Sequence, residues 1–191
     1  MKLLNLLSFS AILMTSVGFS QSNSPLYLDA NQADEARLDD LMSRMTLEEK
    51  VYQMNQFVGL DHMREAEKNL SVEDLHSNDA QGFYKGLFSD DVAQMTKEGK
   101  IGSFLHVLTT EEANLLQELA FQSRLKIPIL IGIDAIHGNA LVSGTTVYPS
   151  PISLASTWSD AFLYDVGKQS AKEMRATGSH WAFTPNIDVL R

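Results

Sequence analysis

The chain predicts an α/β fold, the N-terminal part of a (β/α)₈ TIM-like barrel with about three of eight strands, on three observations. From Lys100 on, apolar segments of strand character alternate with capped amphipathic helices, strand, helix, strand, helix, strand in about 90 residues, the signature of right-handed parallel βαβ units. Ile127 to Gly138 reads Ile-Pro-Ile-Leu-Ile-Gly-Ile-Asp-Ala-Ile-His-Gly, a continuous β-branched run typical of a strand buried on both faces, ending abruptly in polar residues. Polar side chains also recur where each predicted strand ends: His106, then Asp134 and His137, then Asn186 and Asp188. An open doubly wound sheet shares the first two features. It loses support because no Gly-x-Gly-x-x-Gly follows a strand, and the recurrence of polar ends favours the mouth of a barrel.

The elements follow in order. Met1 to Ser20 carries Lys2, an apolar stretch from Leu3 to Val17 and the small-residue end Gly18-Phe19-Ser20, which predicts a secretory signal at 1–20. A retained anchor is disfavoured, since a span needs about 20 strongly apolar residues and this run contains Asn5, Ser8 and Ser10. Residues 21–37 read as a polar leader, and Ala33 to Met45 as a short amphipathic helix. Thr46-Leu-Glu-Glu49 is a capping box that opens a helix to about Gln56, with Leu47, Val51, Met54 and Phe57 as core residues and Glu48 and Glu49 as cap partners. Gly59 to Gly99 is the least legible part, and His62 and His76 within it read as surface histidines. Ile101 to Val107 is the first predicted strand. Thr109 caps a helix to about Arg124, Ile129 to Ile133 is the second strand, Ser159 opens a helix stopped by Gly178, and Trp181 to Ile187 is the third strand. Residues 38–191 form the predicted partial barrel domain.

Composition narrows the class. The 191 residues are 44% hydrophobic and 20% charged, with a formal charge of −9 and no cysteine. Such an acidic chain, without a basic stripe, is a poor partner for nucleic acid. Lack of cysteine excludes a disulfide framework and a lipidated cysteine at the cleavage site. A periplasmic or secreted location is expected, with no membrane association after signal cleavage.

Asp134 and His137, three apart at a strand end, suit half a metal site, an acid/base pair or a sugar clamp. Neither His-Glu-x-x-His nor a Gly-x-Ser-x-Gly elbow accompanies them, so no metal and no serine nucleophile is expected. For His137 a buried ring bonded to backbone is the favoured reading, whereas Asp134 is read as a site residue.

The segments Gly132-Ile-Asp-Ala-Ile-His-Gly138, Tyr148-Pro-Ser-Pro-Ile-Ser-Leu-Ala-Ser-Thr-Trp158 and Trp181-Ala-Phe-Thr-Pro-Asn-Ile-Asp-Val-Leu-Arg191 closely resemble the N-terminal domain of glycoside hydrolase family 3. Met45 to Met54 and Gly99 to Phe104 are similar to the same family in the same order, so the resemblance runs from about Leu38 to Arg191. It implies a secreted, exo-acting, retaining hydrolase of terminal β-D-glucosyl residues, without cofactor, acting on β-linked oligosaccharides or glucosides. β-Xylosidase and N-acetylglucosaminidase activities are the alternatives within the family. By the same resemblance Asp134 binds the terminal sugar and Asp188 holds a supporting position in its loop; His137 is a further candidate for a supporting position. The catalytic nucleophile and acid/base are expected beyond Arg191, so a piece ending there is expected to be inactive, at most a sugar-binding fragment.

Overall fold

The computed structural model describes residues 24–69, 71, 84 and 86–186. The expected signal segment 1–20, His76 and Asp188 lie outside these residues. The chain divides into two compact units, 1–44 and 45–191. In the first, a 3₁₀ turn at Leu26–Leu28 precedes helix α1, Asp34–Arg44. Asp40 accepts hydrogen bonds from the Tyr27 amide at 3.0 Å and from Arg44 at 3.0 Å, and Arg37 donates to the Tyr27 carbonyl at 3.1 Å. These polar ties fasten a helix none of whose residues is buried.

The second unit runs α2 (Leu47–Tyr52), β1 (Gln56–Val58), α3 (Leu60–Asn69), α4 (Ser89–Lys97), β2 (Ser103–Leu105), α5 (Thr110–Ala120), β3 (Leu130–Ile133), α6 (Pro151–Ala155), α7 (Asp160–Ala176) and β4 (Trp181–Ala182). All four strands are parallel, in the order β1-β2-β3-β4. Each strand pairing with its successor is how a barrel wall grows. A doubly wound sheet reverses direction at a switch point, and none occurs among the described strands.

Register explains the core. Phe57, Phe104 and Ile131 are aligned across β1 to β3 and point to the face on which Met63, Val92 and Leu116 pack from α3, α4 and α5. The other face is more open, with Leu130 at 42% exposure. This corrects the expectation of burial on both faces for β3. A second cluster joins Ile133, Ala135, Val142 and Met174. Along α7 the inward positions are Val166, Ser170 and Met174, four residues apart, while Phe162 and Gln169 stay exposed.

Four described strands replace the three expected. β1 was missed because helical periodicity continues across it: α2 stops at Tyr52, and Phe57, expected on a helix, is a strand residue. Leu47, Val51 and Met54 are exposed rather than core, Met54 at 76%. β4 is shorter than expected, Trp181–Ala182 only. Among the described residues no helix is long and apolar enough to cross a membrane.

The capping box is as expected. The Glu49 amide donates to Thr46 Oγ1 at 3.2 Å, and the Thr46 amide donates to Glu49 Oε2 at 2.9 Å. Arg124, 75 residues on, also donates through Nε to Glu49 Oε1 at 2.9 Å, closing a two-toothed pair that joins α2 to the turn after α5. Arg124, and then the Thr46 amide, hold the Glu49 carboxyl below its usual range. A lowered carboxyl stabilises the fold above its unfolded pKa and ceases to do so as pH falls through the folded one. Glu49→Gln is expected to cost about 0.5–1 kcal/mol at pH 7, as for a largely solvated pair. Urea titrations should show the difference from wild type shrinking as the pH is lowered from about 5, and a pH-independent difference would refute the pair's contribution.

Candidate functional site

The C-terminal ends of β1, β2 and β3 converge on a small polar cluster. At the end of β2 the backbone of His106 turns into the left-handed region, φ 56°, where a residue with a Cβ is rarely found. Its amide donates to the Gly132 carbonyl of β3 at 3.0 Å, so the turn remains tied to the neighbouring strand. The ring then reaches across, and Nε2 lies 2.9 Å from Oδ2 of Asp134. Their side chains are 31% and 43% exposed, so the pair is open to a ligand.

On the β1 side, Gly59 donates to the Leu105 carbonyl at 2.9 Å. A Cβ on Gly59 would stand 2.8 Å from Glu112 Oε1 and 2.9 Å from the His106 carbonyl, so only glycine allows this approach. Glu112 is buried. Its amide donates to Thr109 Oγ1 at 3.2 Å, the expected cap of α5, but its carboxylate turns to α3 and accepts from the Asp61 amide at 3.0 Å. Burial, above all, raises the Glu112 carboxyl above its ordinary range. Its partners are the N-terminal amides of α3, so its role is to tie the β1–α3 corner to α5.

His137 does not join Asp134. Its carbonyl accepts from the Tyr148 amide at 2.8 Å, but its ring Nδ1 is buried without a hydrogen-bond partner among the described residues, contrary to the expected backbone-bonded ring. The residue lines a separate cleft of about 500 Å³ with Leu154, Val166, Met174 and Pro185. Neither Asp134 nor His106 lines that cleft. Among the described residues no three His, Cys, Asp or Glu side chains are grouped to hold a metal ion. His62, read as a surface residue, is exposed.

The site is therefore an exposed carboxylate at the end of a barrel strand, with one oxygen held by a histidine from the preceding strand. The residue that sequence reasoning underused is His106: its position at a strand end is legible, but its pairing depends on a left-handed turn that composition does not signal.

Sequential parallel strands with polar groups gathered at their C-terminal ends define a (β/α)₈-type barrel domain of the class that carries active sites at this mouth. The chain belongs to glycosyl hydrolase family 3: residues 46–191 match its N-terminal domain, described as "Glycosyl hydrolase family 3 N terminal domain". It is 28% identical over 162 residues to the periplasmic beta-glucosidase of Salmonella typhimurium, covering 84% of this chain and 17% of the relative. A beta-xylosidase of Formosa agariphila is 34% identical over 96 residues, 47% of this chain and 13% of that protein. Among solved structures, the Q683A mutant of an exo-1,3/1,4-beta-glucanase from a Pseudoalteromonas species superposes with a TM-score of 0.59 at 28% identity, over 82% of this chain and 23% of that one. The chain thus spans less than a quarter of the length of these relatives.

Proposed function

We propose that this chain supplies the sugar-binding part of the barrel in a secreted, exo-acting, retaining β-glucosidase. The observation that carries the reading is the Asp134 carboxylate at the barrel mouth, exposed and held on one side by His106. A carboxylate is an acceptor-only group with four lone-pair sites, suited to sugar hydroxyls, and a fixed orientation lets it position the ring and select its stereochemistry. Retention uses two further carboxyl groups about 5–5.5 Å apart, one as nucleophile and one as acid/base. Neither role is assigned to Asp134. Support for the substrate class comes from the relatives named as a beta-glucosidase and an exo-glucanase. The apolar segment Leu3 to Val17, and the word periplasmic in a relative's name, support export.

The test is proton NMR of the first sugar released from an aryl β-glucoside by the full-length enzyme. The β-anomer is expected to appear first. Early α-anomer would refute retention, and absence of any released sugar would refute the glucoside reading. The beta-xylosidase relative, at 34% identity, favours an aryl β-xyloside as the second substrate to compare.

A further inference from the structure

We propose that His106 is a positioning residue that sets the direction of the Asp134 carboxylate and thereby decides which sugar hydroxyl it can receive; the inference rests on the sugar-binding reading above. The two residues are 28 apart in sequence and meet because β2 and β3 are neighbours, with Nε2 2.9 Å from Oδ2. An ionised carboxylate only accepts, so the shared proton resides on Nε2 whether the ring is neutral or charged. Among the described residues no other hydrogen bond reaches the Asp134 carboxylate. Without His106 the side chain would be free to rotate at the mouth.

The backbone shows that this contact is imposed rather than incidental. His106 has φ 56°, a conformation unfavourable for a residue with a Cβ, and it persists because its neighbours fix it from both sides. Its amide is bonded to Gly132 of β3, while its carbonyl is packed against Gly59 at the end of β1, where a Cβ would stand 2.9 Å away. An extended residue at that point would continue the strand instead of bending the chain. The left-handed turn redirects the chain at the point where the ring reaches Asp134. With one lone pair of Oδ2 taken by His106, the remaining acceptor sites of the carboxylate keep set directions, and a ligand must bring its hydroxyl to one of them. Fixing an acceptor before the substrate arrives removes a rotamer search from binding and from the transition state.

A double-mutant cycle on the full-length enzyme tests this, with kcat and KM measured on an aryl β-glucoside. His106→Ala is expected to lower kcat/KM by roughly five- to thirty-fold in the wild-type background and by less than about two-fold when Asp134 is already alanine, which leaves His106 no acceptor to orient, because residues that act through one another are not additive. His106→Gln, whose amide nitrogen can take the place of Nε2, should recover much of the loss. Equal losses in both backgrounds, or a glutamine variant as poor as the alanine one, would overturn the proposal while leaving Asp134 in the site. A wild-type enzyme without turnover on any aryl β-glycoside would instead overturn the sugar-binding reading, and this inference with it. Should His106→Ala fail to fold, ¹⁵N NMR of the labelled histidines in wild type and in Asp134→Asn decides the matter. A proton on Nε2 of His106 in the wild type, with a resonance that moves in Asp134→Asn, is expected; an unmoved resonance would overturn the pairing.

Discussion

Asp134→Asn is expected to lower kcat/KM on an aryl β-glucoside by at least roughly ten-fold, about 1.4 kcal/mol, while leaving the enzyme folded. The first half follows from charge. A hydrogen bond to a charged group contributes about 1.5–3 kcal/mol against about 0.5–1.5 for a neutral one, and asparagine keeps the shape but gives up the charge and one acceptor. Its amide must also divide one carbonyl oxygen between His106 and the sugar. The second half follows from location. Asp134 stands just past the last residue of β3, its side chain 43% exposed, and it has no part in either apolar cluster. Unchanged kinetics would remove Asp134 from the site. Loss of soluble enzyme would assign it a structural role instead.

The place of Asp134 at a strand end was legible in the sequence for a physical reason. An apolar run that stops at an acid marks the point where a buried strand leaves the core, and in parallel βα architectures ligands gather at that end. The helix caps were legible because they are local, needing only Thr46 with Glu49 or Thr109 with the Glu112 amide. What failed was whatever depends on partners distant in sequence. The carboxylate of Glu112 bonds to the Asp61 amide, 51 residues away, instead of returning to its own helix. β1 has three residues of which only Phe57 is buried, too short for a period of two to stand out from the helical pattern before it. The pairing of His106 with Asp134 needs both the strand order and a left-handed backbone, and neither is encoded in composition.

The motif that carries Asp134, the proposed sugar-binding residue, also carries Gly138, and Gly138→Ala is expected to destabilise the fold by about 3 kcal/mol. Gly138 has φ +90°, where an alanine costs about 1–2 kcal/mol by itself. Space is the larger obstacle. A Cβ there would stand 2.3 Å from the Thr146 carbonyl oxygen and 2.9 Å from the Tyr148 ring, so backbone, not a pliable side-chain tip, must yield. That backbone is tied down: the Tyr148 amide donates to the His137 carbonyl at 2.8 Å, and the Thr146 amide and hydroxyl donate to Glu173 of α7 at 2.9 and 2.8 Å. Forcing it aside adds an overpacking cost of about 1–3 kcal/mol. Gly144 supplies the control within the same loop, since it has nearly the same φ, +85°, with no atom within 4 Å of a built Cβ. Gly144→Ala should therefore carry only the conformational cost, about 1–2 kcal/mol. Urea unfolding of both variants, followed by tryptophan fluorescence, measures the difference. Equal midpoints would show that the segment at 146–148 moves away without penalty, and that the glycine at 138 is needed for its backbone angle alone.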